Sequence, residues 1–124
     1  MDRKYVLTAF GYLLLGLLLG IHMAASKVHT QFVTHAHIML VGFVLSFIYA
    51  LCHKLWIKPE AKLLALQYYT HQIGTVVLLI GLFLLYGQFV SEQLLGPIMG
   101  IASFVVLVSA ILMKVILIKS FKQP

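Results

Sequence analysis

The sequence predicts an all-α fold, an integral membrane four-helix bundle with both termini cytoplasmic, on three observations. Hydrophobic residues make up 62% of the 124 positions and charged residues 10%, and the mean hydropathy is +1.05; a soluble domain carries about a quarter charged residues. The apolar residues fall into four runs, at about 5–25, 32–51, 63–86 and 94–118, each matching the roughly 20 residues a helix needs to cross the hydrocarbon core. Eight of the nine lysines and arginines lie at the two ends and in the second connection, with Lys27 the exception. With no water to satisfy the backbone, an open chain crosses a membrane as helix. The connections at 26–31, 52–62 and 87–93 are too short to fold by themselves, so residues 1–124 are expected to form a single transmembrane domain.

The first run follows Arg3 and Lys4 and closes on Met23, Ala24, Ala25 and Ser26, a pattern shared with signal peptides. Its apolar stretch exceeds the roughly 7–15 residues of a signal peptide, so it is expected to stay as the first helix. The third is expected to open with Pro59 and Glu60 in its first turn, where a missing N–H and a negative charge are both favourable. Gly16/Gly20 in the first run and Gly96/Gly100 in the fourth have the GxxxG spacing that permits close helix contact. Tyr5, Trp56, Tyr68, Tyr69 and Tyr86 fall near run ends and are expected to be interfacial anchors rather than redox relays.

Charge sets the orientation. The positive-inside rule puts both termini and the second connection in the cytoplasm, and the chain in the cell's inner (cytoplasmic) membrane as a multi-pass protein. That distribution accounts for the net charge of +6 without a nucleic-acid partner. Cys52 is the single cysteine, which excludes an intramolecular disulfide and any CxxC motif; it is expected to behave as a small buried hydrophobe.

Six histidines in so apolar a chain are the functional signal. His29 falls in the first connection and His53 at the inner end of the second helix, and both are expected to be interfacial and solvated. His22, His35, His37 and His71 lie within the apolar runs, where an ionisable residue marks a functional site by default. At about 100° per residue, His35 shares a face with Met39, Gly42, Ser46 and His53, the small and polar stripe that faces other helices. His37 points about 200° away, over Val41, Val44 and Ile48, into a second compartment such as a subunit interface, or else towards lipid. His22 lines up with Ser26, Gly11 and Thr8, and His71 with Gln67, Gly74 and Thr75.

Several neutral imidazoles without buried acids narrow the chemistry. The only acids are Asp2, Glu60 and Glu92, all near run ends, which disfavours a proton pump and a zinc hydrolase with its carboxylate base. Haem iron takes axial histidines from facing helices in an apolar pocket, and small residues such as Gly11, Gly42 and Gly74 would make room for the macrocycle. Copper also accepts clustered imidazoles.

The stretch THAHIMLVGF at 34–43 resembles the haem-ligand helices of subunit I in the haem–copper oxidase and nitric oxide reductase superfamily. Thr34, His35, Ile38 and Met39 match a Thr-His-Gly-x-Ile-Met-like run, and His35, His37 and Gly42 match a His-x-His helix. The resemblance covers about one helix in four. It implies that each histidine of the His-x-His serves a different haem. The chain has four helices against about twelve and lacks the adjacent His-His pair of the copper centre, so reduction of oxygen or nitric oxide by this chain alone is not implied.

The resulting expectation is a membrane b-type cytochrome, holding haem b non-covalently because no CxxCH is present, for electron transfer or redox and gas sensing with a respiratory-chain partner. His35 is the first candidate axial ligand, with His71 or His22 as its partner and His37 for a second haem or a metal. At about 1.5 Å per residue, His71 lies about 15 Å deeper than His35, whereas His22 is nearly level with it. The alternative is a haem-free accessory or assembly subunit holding copper through His22, His35 and His37. A homo-oligomer is expected, a trimer ahead of a dimer, since the oxidase-like subunit arranges its helices as three arcs of four and three copies of this chain would supply twelve.

Overall fold

The structure is a computed structural model and describes residues 1–58 and 63–122. Among them there are only helices, four of which are long and apolar enough to cross a membrane: α1 (Asp2–Ser26), α2 (Phe32–Leu55), α3 (Leu64–Tyr86) and α4 (Glu92–Lys122). Each contains nearly all of the apolar run that predicted it, and three extend beyond it at their polar ends. The added turns carry charged residues, among them Arg3, Lys4, Lys54 and Lys119, whose long side chains let a helix run past its apolar stretch. Asp2 and Glu92 lie in the first turns of α1 and α4, where negative charge meets the positive end of the helix dipole. Lys27 takes a left-handed conformation, φ 59°, and closes α1 in the manner of an αL cap. Pro59 and Glu60, expected in the first turn of the third helix, lie outside the described residues.

The second span is not uniform. It is α-helical over Phe32–His37, widens into a π-helix over Ile38–Val44, and returns to α-helix over Leu45–Leu55. Its buried positions step by four, Thr34, Ile38, Gly42 and Ser46, because the wider i→i+5 turn keeps them inward where an unbroken α-helix would rotate them away.

The four helices form two hairpins. α1 packs along α2 and α3 along α4, while the two pairs meet more sparsely. Close contact within the first hairpin depends on glycine. A Cβ on Gly42 would stand 2.7 Å from Cγ of the Tyr12 ring, one on Gly20 would meet the His35 ring at 3.1 Å, and one on Gly16 would collide with the Met39 sulfur. The Gly16/Gly20 pair is thus used inside the chain, whereas Gly96 and Gly100 face open space.

The tightest core lies at the end carrying the N-terminus, around Tyr5, Tyr49, Tyr68, Met113 and Ile116. Tyr5 and Tyr68 correct the expectation of interfacial anchoring: they are 0% and 8% exposed, and their rings cross at 4.8 Å. Trp56, Tyr69 and Tyr86 are exposed. Cys52 is buried. Toward the other end the bundle opens into an apolar groove of about 410 Å³, bounded by Leu15 and Leu18 on α1, Thr34 and Ile38 on α2, and Leu79 and Phe83 on α3.

Gly42→Val should cost about 1–3 kcal/mol, the usual penalty for overpacking a filled contact, because the Tyr12 ring has nowhere to retreat without leaving its place on Gln72. Gly11→Ala, which meets nothing within 4 Å, should be neutral. Thermal unfolding in a mild detergent measures both.

Candidate functional site

Two imidazoles at the start of α2 share an unusual arrangement. His35 Nδ1 lies 2.9 Å from the carbonyl oxygen of Gly16 on α1, and His37 Nδ1 lies 2.9 Å from the carbonyl oxygen of Val33 one turn back. A carbonyl only accepts, so in each ring Nδ1 donates the proton and Nε2 keeps its lone pair. Among the described residues neither Nε2 has a hydrogen-bond partner. Metal-ligating histidines are oriented in this way, with one ring nitrogen tied to a carbonyl and the other offered to the metal. Both rings are half-buried, and His35 fits against α1 because Gly20 has no side chain. The π-helical stretch begins directly after His37; such segments occur often at functional sites.

His22 is exposed rather than buried in a polar stripe. Gly20 rests on the His35 ring, so His22, two residues further along α1, is level with His35 as expected. It points about 200° from Gly20, however, and the two imidazoles lie on opposite sides of α1. They do not face one space within a single chain.

His71 is fully buried and stands elsewhere. Its Nε2 is 2.8 Å from Ser46 Oγ on α2, and its Nδ1 is 3.5 Å from Thr75 Oγ1 one turn along α3. Tyr49 meets the ring edge-on at 5.0 Å. Both nitrogens are therefore engaged by hydroxyls, and the structure does not bring His71 to His35, His37 or His22. The face predicted for it is confirmed, since Gln67, Gly74 and Thr75 are all buried. The glycines expected to leave room for a macrocycle do not do so inside the chain. Tyr12 fills the space at Gly42, Val105 and Val106 fill that at Gly74, and Gly11 faces outward.

His71 belongs to a polar seam that joins the two hairpins. The Tyr5 hydroxyl on α1 donates to Gln67 Oε1 on α3, and Gln67 Nε2 donates to the Ser109 carbonyl on α4 at 3.2 Å. Higher up, Tyr12 donates to Gln72 Oε1 at 2.8 Å, and Gln72 Nε2 donates to Thr8 Oγ1 at 3.2 Å. At the far end Gln31 Nε2 donates to the Phe83 carbonyl at 2.9 Å. Helices in lipid gain little from the hydrophobic effect and associate through such hydrogen bonds and close packing. His53 lies beside this seam and is a second correction. Its side chain is 8% exposed, not solvated, with its ring 5.1 Å from that of Tyr5. His29 is exposed as expected.

The Tyr5–Gln67 pair escaped the sequence reading. Its signal was a glutamine deep in an apolar run, which has to find a partner in hydrocarbon, but nothing in the sequence says which helix supplies it. No family model matches the chain, and no curated protein and no solved structure matches it either. Among the described residues no three His, Cys, Asp or Glu side chains gather to hold a metal ion.

If the Tyr5–Gln67 bond joins the hairpins, a double-mutant cycle with Tyr5→Phe and Gln67→Leu should give a coupling of about 0.6–1.7 kcal/mol, the range for interhelical hydrogen bonds in membranes. Unfolding in detergent measures it, and additive single effects would show that the bond carries no load.

Proposed function

We propose that the protein is a membrane b-type cytochrome whose haem is held at subunit boundaries by imidazoles from the start of α2. The supporting observation is the pair of Nδ1–carbonyl hydrogen bonds at His35 and His37, which leave two Nε2 lone pairs at the perimeter of the bundle. Among the described residues, an apolar groove between α1, α2 and α3 and a smaller one of about 200 Å³ between α3 and α4 carry no histidine, which favours ligation between copies. Between copies the same residues fit. His35 and His37 diverge toward two compartments, and the exposed His22, level with His35, offers an imidazole from the opposite side of α1. His71, bound to Ser46 and Thr75, is left in this reading to the seam.

Haem would supply a one-electron carrier and a site for small gaseous ligands, and His35, His37 and His22 are the residues that would hold it. The basic end carrying Arg3, Lys4, Lys54, Lys58, Lys119 and Lys122 would face the cytoplasm, with the histidine pair near the opposite surface of the inner membrane. A trimer fits the twelve-helix arrangement of the oxidase-like subunit, and the outward-facing Gly96 and Gly100 are free for close contact between copies. Electron transfer with a respiratory-chain partner, or redox and gas sensing, is the consequent role. Copper is the weaker alternative, because clustered ligands are what copper sites need and no such cluster exists among the described residues of one chain.

The purified protein should show a Soret band with sharp α and β bands on reduction. His35→Ala should lose most of that absorbance while His29→Ala keeps it. A colourless protein containing copper would favour the accessory-subunit reading, and unchanged haem in the His35 variant would overturn the ligand assignment.

A further inference from the structure

Beside the inner ends of α1 and α2, a cavity of about 130 Å³ is lined by Met1, Asp2, His53, Ile57 and Leu64. His53 is its buried polar wall, 8% exposed, and His53 Nε2 has no hydrogen-bond partner. Gln67 lies beside the ring; its Oε1 accepts from Tyr5 and its Nε2 donates to Ser109, and no bond from it reaches His53 Nε2. An enclosed ring nitrogen without a partner is rare in native proteins, and its usual remedy is an ordered water. A water takes up about 30 Å³ in the liquid, so the cavity has room for several. It also offers the two or more polar partners a trapped water requires, His53 Nε2 on one side and the Asp2 carboxylate on the other. Asp2, on the cavity wall, is partly exposed, which connects the space to the solvent at this end of the bundle, and the Tyr5 ring packs beside His53 with centroids 5.1 Å apart.

We propose that this cavity is a water-filled inlet in which water bridges His53 Nε2 to Asp2, making His53 a proton-binding site in exchange with the solvent at the basic end of the bundle. The inference is independent of haem, whose candidate ligands lie at the opposite end. The water donates a hydrogen bond to the Nε2 lone pair in the neutral ring. When the ring takes a proton from that water, Nε2–H donates instead, and the water is restored by a proton from bulk through the inlet. Among the described residues, the charged and titratable groups that face His53 lie on α1: the Asp2 carboxylate, the chain's amine at Met1 and the Tyr5 hydroxyl. From α3 it meets the neutral Gln67, and the neighbouring Lys54 on its own helix is exposed. α4 adds Met113 and Ile116 to the adjoining core. His71, by contrast, has both nitrogens held by hydroxyls and no cavity beside it among those described.

Nitrogen NMR on protein labelled with 15N-histidine, in lipid nanodiscs, tests this. The His53 resonance, assigned by its loss in His53→Gln, should titrate between pH 4.5 and 8.5 and show exchange with water, while the His71 resonance stays that of a neutral ring. Asp2→Asn should lower the His53 midpoint by about half a pH unit or more, since an opposing charge nearby favours the protonated ring. Leu64→Phe, which fills the inlet, should slow the exchange with water at least tenfold. A His53 resonance that stays flat across this range, or one whose midpoint ignores Asp2→Asn, would overturn the proposal. Loss of haem with an unchanged His53 titration would count against the cytochrome reading alone.

Discussion

The structure depends on a few hydrogen bonds, the deepest of them buried, that tie one helical hairpin to the other. Within each hairpin, packing along the full length of α1 and α2, or of α3 and α4, does the work. Between hairpins the ties are polar: Tyr5 to Gln67, Tyr12 to Gln72 and on to Thr8, Ser46 to His71, Gln31 to the Phe83 carbonyl. In hydrocarbon an amide or imidazole has no water to fall back on, so each such group accepts one partner and one relative position of the helices. Most of these ties lie toward the basic end, where Tyr49 and Tyr68 pack edge to face around Tyr5. The opposite half is held more loosely, and there the apolar groove opens.

That division of labour separates the histidines into two groups. His71 and His53 sit in the tied half, and His71 spends both nitrogens on the helix contact. His35 and His37 sit at the looser end, each with one nitrogen anchored to a backbone carbonyl and one left over. The π-helical segment lies between the groups. Its wider turn lets α2 present Gly42 to Tyr12 of α1 and, four residues later, Ser46 to His71 of α3, so one helix serves both neighbours. The proposed haem sites at the chain's boundary follow from the same division, since the groove that opens at the looser end carries no histidine.

Much of this is legible in the sequence, and the rest is hidden for identifiable reasons. Hydropathy alone locates the four helices, because a span needs length and apolarity and little else. The small and polar stripes of α2 and α3 also follow from periodicity: Gly42, Ser46, Gln67, Gly74 and Thr75 are all buried. What periodicity lacks is the partner. It put Ser46 on the face of His35, whereas Ser46 binds His71. It treated Tyr5 and His53 by distance from the helix ends and so expected them at the interface, but the start of α1 is covered by α2 and α3, which no single helix reveals. The π-helix has no distinctive composition over Ile38–Val44 and was not foreseen. His22 was given to the interior because its stripe contains Gly11, Thr8 and Ser26, yet the side of α1 that α2 covers carries Gly16 and Gly20.

The central claim is that the haem ligands become complete only where copies of the chain meet. Native mass measurement of the protein released from a mild detergent tests it most directly, because it counts chains and haems in one particle. The account predicts a trimer that retains haem and releases it when the assembly is dissociated to single chains. A monomer that keeps its haem would contradict it.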